Sequence, residues 1–102
     1  MSPADGLRTQ VVLSLTGDLD FATANDAFKQ LLGLELRPRS QLVLDLSEVT
    51  FMDSTGIRLI LQANERARVH GAGFVVVRPP ANVMRVLELV GLDEQLELVD
   101  GV

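Results

Sequence analysis

Cysteine is absent from this chain of 102 residues. Its absence excludes disulfide bonds, thiolate metal sites and thiol catalysis, and it suits a reducing compartment. Histidine and lysine each occur once, as His70 and Lys29. The chain therefore offers few candidates for the base that activates a serine nucleophile.

Positive charge is also scarce, because 9 basic residues stand against 14 acidic ones and the formal net charge is −5. Nucleic-acid binding needs a positive field facing the phosphate backbone, so we expect no direct contact with nucleic acid. The basic residues Arg37 and Arg39 are interpreted as part of a connecting loop.

Long apolar runs are missing too. No stretch approaches the ~20 residues that a transmembrane helix needs, and the first residues lack the pattern of a signal peptide. We therefore expect a cytoplasmic protein that does not insert into membranes.

What the chain does have is an apolar content of 47% in a length that suits one domain. Residues 1–102 show no repeat, low-complexity tract or linker. We predict that they form a single domain with its own core.

Strand and helix patterns alternate along the chain. Apolar runs predict strands at residues 10–16, 41–47, 73–77 and 96–99. Helical spacing of apolar residues predicts helices at residues 24–36, with Thr23 as N-cap, and at 54–70 and 82–90. This order predicts an α/β fold: a single-layer, mainly parallel or mixed sheet of four to five strands, covered by helices.

Ser54, where a predicted core strand leads into a helix, is a poor candidate for a catalytic nucleophile. Sixteen residues of helical rise would separate it from His70 by about 24 Å, whereas a nucleophile needs its base at about 2.6–3.2 Å. Lys29 falls on a different predicted helix, and the Gly-x-Ser-x-Gly elbow is absent. We therefore expect no enzymatic activity.

The four aspartates Asp18, Asp20, Asp45 and Asp53 could meet at one edge of the sheet. Such clusters occur in glycosidases and magnesium sites. They also arise by chance in a small domain with 14 acidic residues, and we favour a solvated acidic edge. Phosphate-binding glycine loops are absent, so no metal or cofactor is predicted.

Two interpretations of Ser54 stay open from the residues alone. As the N-cap of the second helix, its hydroxyl would accept a backbone N–H bond worth about 1 kcal/mol. As a modification site, it would carry a phosphoryl group at the positive end of the helix dipole, adding about −1.5 to −2 charges to the acidic edge. Such a charge would hinder a docked partner. Gly56 is interpreted as a point of close approach between the first helical turn and its neighbours.

These motifs resemble the STAS domain (sulfate transporter and anti-sigma-factor antagonist). The likeness rests on Gly-Asp-Leu-Asp at residues 17–20, Leu-Asp-Leu-Ser at 44–47, Phe-Met-Asp-Ser-Thr-Gly-Ile at 51–57 and Leu-Glu-Leu-Val-Gly-Leu at 87–92. It extends over nearly the whole chain, and its middle segment is similar to that of bacterial anti-sigma-factor antagonists. Many STAS domains have an additional N-terminal strand. Here Leu7 and Arg8 could pair as a short edge, which leaves the strand count open.

The resemblance implies a non-catalytic binding protein without a cofactor. An anti-sigma factor that is also a serine-protein kinase would phosphorylate Ser54. The unphosphorylated domain would bind that kinase and release the sigma factor, and a protein phosphatase would reset the switch. Partner contacts are expected around the phosphorylation site and along the exposed face of the second helix: Asp20, Asp53, Ser54, Thr55, Gly56, Arg58 and Gln62.

The face of the second helix is assigned from its apolar periodicity. The inward positions are Ile57, Ile60, Leu61 and Ala67. The outward positions are Arg58, Gln62 and Glu65. A solvated polar face without a partner is the alternative for the outward residues.

Other roles of STAS domains compete with this one. The domain could serve as a subunit of a lipid or anion transport system, or as part of a stress-signalling scaffold. Nucleotide binding is a third role, for which no motif is present, and an enzyme with a metal site at the acidic edge comes last. A monomer is expected, because no surplus apolar stripe is evident on the outer faces.

Overall fold

The computed structural model describes residues 9–101. Strands and helices alternate along them: β1 (Gln10–Leu19), α1 (Ala24–Leu32), β2 (Gln41–Met52), α2 (Ser54–Val69), β3 (Gly73–Val77), α3 (Ala81–Leu89) and β4 (Leu98–Val99). A short 3₁₀ turn, Leu92–Glu94, precedes β4. The predicted order of elements is confirmed. Over the same residues, no helix combines the length and the apolar character that crossing a membrane requires.

The described strands form one sheet in the order β1-β2-β3-β4, and every neighbouring pair is parallel. Each crossover steps in the same direction across the sheet, so right-handed connections place all three helices on one face. The prediction of an α/β fold with a parallel sheet is confirmed. The edge strand considered at Leu7 and Arg8 lies outside the described residues.

Buried side chains from the three helices and from one face of the sheet share a continuous core. Leu42, Leu44 and Leu46 of β2 point into this core, and all three are fully buried. Val43, between them, is equally buried in a second cluster on the opposite face. Burial on both faces explains the unbroken apolar run in the sequence, which is typical of a parallel strand.

Both β1 and β2 are longer than predicted, since they reach Leu19 and Met52. The twelve residues of β2 run beside the ten of β1, and two register shifts, after Ser14 and after Gly17, absorb the difference. The predicted strand ends at residues 16 and 47 were wrong. The last residues of both strands include polar side chains and do not continue the apolar pattern, but the two segments remain paired with each other.

Helix α1 ends at Leu32, with Gly33 as its C-cap, and not at residue 36 as predicted. The Arg66 guanidinium from α2 donates to the carbonyl oxygens of Leu32 and Leu34 at 3.0 and 3.1 Å. It thereby satisfies acceptors that the end of a helix leaves free. Leu36 reaches the core from non-helical chain, so its apolar character reflects packing and not helix periodicity.

The last strand is limited to Leu98 and Val99, and its predicted start at residue 96 was wrong. Leu96 is buried in the core. Its N–H donates to the Leu92 carbonyl oxygen at 3.0 Å, within the turn that precedes the strand. An apolar residue in a buried turn is indistinguishable from a strand residue in a short sequence pattern.

Candidate functional site

The N-terminus of α2 meets the ends of β1 and β2 at one corner of the molecule. Leu19 pairs with Met52 as the last residue of each strand, so Asp20 and Asp53 leave the sheet side by side. The N–H of Asp53 donates to the Leu19 carbonyl oxygen at 3.3 Å. We call this region, from Asp18 to Asp20 and from Asp53 to Gly56, the acidic corner.

Asp53, and not Ser54, is the N-cap of α2. Its backbone is extended (φ −114°, ψ −163°), and its Oδ1 accepts the N–H of Thr55 at 2.8 Å. The assignment of the cap to Ser54 was wrong by one position, because aspartate and serine are both favourable caps and stand next to each other. Ser54 is the first helical residue, and its side chain is exposed. Its hydroxyl is therefore not needed to cap the helix.

The two hydroxyl groups at the start of α2 differ in access. Ser54 is exposed, whereas Thr55 is half-buried. The first turn of a helix directs unpaired N–H groups and the positive end of the helix dipole toward its N-terminus. Ser54 is thus the more accessible hydroxyl in a field that favours negative charge.

Gly56 lies in the first turn of α2, on its buried side, and has no room for a side chain. A Cβ atom placed there would overlap the Met52 side chain and would lie 3.2 Å from the Leu19 carbonyl oxygen. The expected close approach at Gly56 is confirmed. It lets the start of α2 rest on the end of the sheet, and this contact determines where Ser54 stands.

Asp20 organises the loop between β1 and α1. Its Oδ1 accepts the N–H groups of Ala22 and Thr23, each at 3.0 Å. Thr23 holds the predicted N-cap position of α1, but its side chain caps no helical N–H. Instead its hydroxyl donates to the Asp18 carbonyl oxygen at 2.6 Å. Asp20 therefore has a structural role in addition to the partner contact expected of it.

Of the four aspartates considered as a cluster from the sequence, three lie near the acidic corner and Asp45 does not. Asp18 accepts the hydroxyl of Thr50 at 2.9 Å near the end of β1. Asp45 lies midway along β2, where its Oδ1 accepts both the N–H and the hydroxyl of Ser47. Its place in the strand interior keeps it away from the corner. Across the described part of the chain, no group of three or more His, Asp or Glu side chains could hold a metal ion.

The outer face of α2 was predicted correctly, and part of its inner face was not. Arg58, Gln62 and Glu65 are exposed, as expected. Leu61, which was predicted to point inward, is 46% exposed. The buried positions of the helix are Gly56, Leu59, Ile60, Ala63 and Ala67. The contact of Gly56 with the sheet sets the rotation of the helix, so Leu59 and not Leu61 faces the core.

Arg58 joins α2 to α1. Its guanidinium carbon lies 5.4 Å from the centroid of the Phe28 ring, which is the geometry of a cation–π contact. Beside this contact is an open cleft of ≈ 420 Å³, bordered among others by Phe21, Thr55 and Arg58. Phe21 was not among the predicted site residues. The signal available was an aromatic residue directly after Asp20, outside the apolar periodicity of α1.

His70 stands at the opposite end of α2 from Ser54. It is the C-cap of this helix of 16 residues, and its Nδ1 lies 2.9 Å from the carbonyl oxygen of Arg66. Lys29 is on α1. The only imidazole of the chain is therefore too far from Ser54 to serve it as a base.

Comparison with known proteins agrees with this fold. A family model described as Mlab, STAS domain, matches residues 4–100. The chain belongs to the STAS domain family, as its motifs predicted.

Curated relatives include two kinds of anti-sigma-factor antagonist. The anti-sigma-F factor antagonist RsfB of Mycobacterium tuberculosis is 32% identical over 88 residues, which cover 85% of this chain and 70% of RsfB. The anti-sigma-B factor antagonist of Listeria monocytogenes is 27% identical over 84 residues, which cover 82% of this chain and 74% of the relative.

Solved structures share the architecture. The anti-sigma factor antagonist SpoIIAA in its unphosphorylated form matches with a TM-score of 0.68 at 20% identity, over 90% of this chain and 81% of the SpoIIAA chain. A sulfate transporter family protein from Wolinella succinogenes matches with a TM-score of 0.76 at 17% identity, over 99% of this chain and 86% of the other. Both likenesses establish a common fold.

Proposed function

We propose that this chain is an anti-sigma-factor antagonist that is switched by phosphorylation of Ser54. With a free Ser54 hydroxyl, the domain binds an anti-sigma factor that is also a serine-protein kinase, and the sigma factor is released. Phosphorylation by that kinase ends the binding, and a protein phosphatase restores it. The observation that carries the proposal is the exposed Ser54 hydroxyl at the first residue of α2, beside Asp20 and Asp53. Similarity to two antagonists at 27% and 32% identity supports the same class.

A phosphoryl group on Ser54 is compatible with the folded domain. The side chain is exposed, and the cap bond of α2 is made by Asp53, so phosphorylation removes no capping interaction. The positive end of the helix dipole favours the added negative charge. We therefore expect the fold to survive the modification.

The same phosphoryl group changes how the acidic corner meets another protein. It adds about −1.5 to −2 charges next to the carboxylate of Asp53. A partner that covers the corner would have to remove water from these like charges. A hundredfold loss of affinity corresponds to about 2.7 kcal/mol, which is within the cost of leaving a charge buried and unpaired.

The proposed docking surface extends from the acidic corner along α2. Ser54, Arg58 and Gln62 are spaced four residues apart and are all exposed, so they form one stripe on the helix. Asp20, Asp53 and Thr55 border the start of this stripe, and Gly56 sets its position relative to the sheet. We assign partner binding to this surface.

The proposal describes a monomer in the cytoplasm, where sigma-factor control takes place. The chain needs no second copy to assemble the corner, because β1, β2 and α2 of one molecule supply all of its residues.

A second candidate function keeps the fold and changes the partner. The structural neighbour from Wolinella succinogenes is named a sulfate transporter family protein, which keeps open a subunit of a lipid or anion transport system; a stress-signalling scaffold is the other alternative. In a transport system the domain would copurify with a transport ATPase and not with a serine kinase.

The proposed function is tested by incubating the purified protein with ATP and a purified anti-sigma serine kinase from the same organism, followed by measurement of the intact mass. We expect one phosphate on the wild-type protein and on Thr55→Ala, and none on Ser54→Ala. Retention of the phosphate by Ser54→Ala would transfer the modification to another residue and contradict the proposal.

A further inference from the structure

Phe21 is 85% exposed, which is the highest exposure of any large apolar side chain among residues 9–101. Isolated exposed apolar residues are common on protein surfaces, so exposure alone assigns no role. Two further features set Phe21 apart: the hydrogen bonds of its loop and its position at the cleft that Thr55 and Arg58 also border.

Hydrogen bonds fix the backbone of the loop before and after Phe21. The Oδ1 of Asp20 accepts the N–H groups of Ala22 and Thr23, and the N–H of Asp20 donates to the Thr23 hydroxyl oxygen at 3.1 Å. The N–H of Ala24 donates to the Asp20 carbonyl oxygen at 2.9 Å. The ring is therefore presented on an ordered backbone, and an ordered presentation lowers the entropy cost of binding.

Phe21 also lies at the proposed docking surface. Together with Thr55 and Arg58 it borders the open cleft between α1 and α2.

The charges around the ring indicate what can cover it. Asp18, Asp20 and Asp53 belong to the acidic corner, and the chain as a whole carries a net charge of −5. Anionic membranes and nucleic acids would be repelled by such a surface. Asp20 immediately precedes the ring and Asp53 leaves the sheet beside Asp20, whereas Arg58 borders the cleft on its other side. With two carboxylates against one guanidinium, this surface is complementary to an apolar pocket whose rim is mainly basic.

We propose that Phe21 is the apolar anchor of the docking surface and inserts into an apolar pocket, rimmed by basic residues, on the partner kinase. The inference rests on the proposed function and deepens it by naming the anchor and the chemistry of its pocket. Aromatic anchors in desolvated pockets commonly dominate binding energy. A phosphoryl group on Ser54 would then stand at the edge of the pocket, where water is excluded.

The test is a calorimetric titration of the purified anti-sigma serine kinase, in the presence of ADP so that no phosphate is transferred, with three proteins. These are the wild type, Phe21→Ala and the matched control Leu89→Ala, which removes an apolar side chain that is 81% exposed on α3. We expect Phe21→Ala to weaken binding about thirtyfold, the size of an interface hot spot, and Leu89→Ala by less than about twofold.

A second variant reports the location of the ring directly. The chain contains no tryptophan, so Phe21→Trp introduces a single indole, whose emission is read as the difference from the spectrum of the kinase alone. Insertion into an apolar pocket predicts a shift to shorter wavelength on binding.

The outcomes separate the inference from the function on which it rests. Wild-type affinity in Phe21→Ala, or unshifted emission in a bound Phe21→Trp complex, overturns the anchor and leaves the proposed function standing. Failure of the wild-type protein itself to bind the kinase overturns the proposed function, and the anchor with it.

Discussion

The backbone N–H of Asp53 donates to the carbonyl oxygen of Leu19 at 3.3 Å, and this bond joins the start of α2 to the end of β1. The glycine at position 56 permits the approach, because a side chain there would meet Met52 and the same carbonyl oxygen. The backbone that carries the exposed Ser54 hydroxyl is therefore fixed to the end of the sheet by contacts on both sides of Ser54, at Asp53 and at Gly56. A change in the charge of Ser54 is expected to alter the surface and to leave the fold intact.

Gly56→Ala should destabilise the domain, although alanine is the better helix former. The added methyl group would overlap Met52 and press on the Leu19 carbonyl oxygen, and overpacking of this kind costs about 1–3 kcal/mol. Urea unfolding measures the loss. The matched control is Gly33→Ala, where the nearest atom to the new Cβ is at an ordinary 3.4 Å. An equal effect of both substitutions would contradict the close approach at Gly56.

Asp53→Ala should lower the free energy of unfolding by about 1 kcal/mol, because it removes the N-cap bond to the Thr55 N–H. Asp53→Asn keeps an oxygen that can accept this bond, so a smaller loss is expected. Thermal or urea unfolding of the two variants distinguishes the cap bond from the charge. Identical losses would show that the charge of Asp53, and not its capping geometry, is what stabilises the helix.

Arg66→Ala should be clearly destabilising. It leaves the carbonyl oxygens of Leu32, which is exposed, and Leu34, which is half-buried, without the guanidinium that now reaches them. A hydrogen bond typically contributes about 1 kcal/mol, and water replaces part of it at the exposed oxygen. The control is Arg68→Ala, which removes an arginine of the same helix whose partner, Glu65, is on the surface. Similar melting temperatures for the two variants would argue against a stabilising role of Arg66.

The pair formed by Arg68 and Glu65 gives a prediction about titration. The hydrogen bond from the Arg68 guanidinium, with Nε 2.9 Å from Oε1, holds the pKa of Glu65 below its ordinary value. Because the folded-state pKa is the lower one, the stabilisation is present above the unfolded pKa and disappears as the pH falls through the folded pKa. The pair is exposed, so its effect on stability is small. Carboxyl resonances followed by NMR should show the pKa of Glu65 returning to normal in Arg68→Ala, and an unchanged pKa would contradict the assignment.

The sequence predicts the order of the elements well because that order follows from apolar periodicity. Residues 73–77 form an unbroken apolar run and make a strand with the predicted bounds. The ends of β1 and β2 were missed because their last residues depend on the register between two strands. The shifts after Ser14 and Gly17 are properties of the pair and not of either segment alone.

At the site, the sequence predicts which residues begin α2 but not how they divide their roles. Asp53 and Ser54 are adjacent and both favour N-caps, so the backbone angles of the structure are needed to choose between them. The exposure of Leu61 follows from the seating of Gly56 on the sheet, which is a tertiary contact. The position of Phe21 likewise depends on the hydrogen bonds that Asp20 accepts from the loop backbone, which the apolar pattern of the sequence does not predict.

The most direct test of the phosphorylation switch compares two forms of the protein: unmodified, and fully phosphorylated on Ser54. Binding of the same purified serine kinase and the melting temperature are measured for both. The switch predicts an affinity at least about a hundredfold lower after phosphorylation, with a melting temperature that changes by less than about 4 °C, or about 1 kcal/mol for a domain of this size. Equal affinity of the two forms, or a loss of binding accompanied by unfolding, would contradict it.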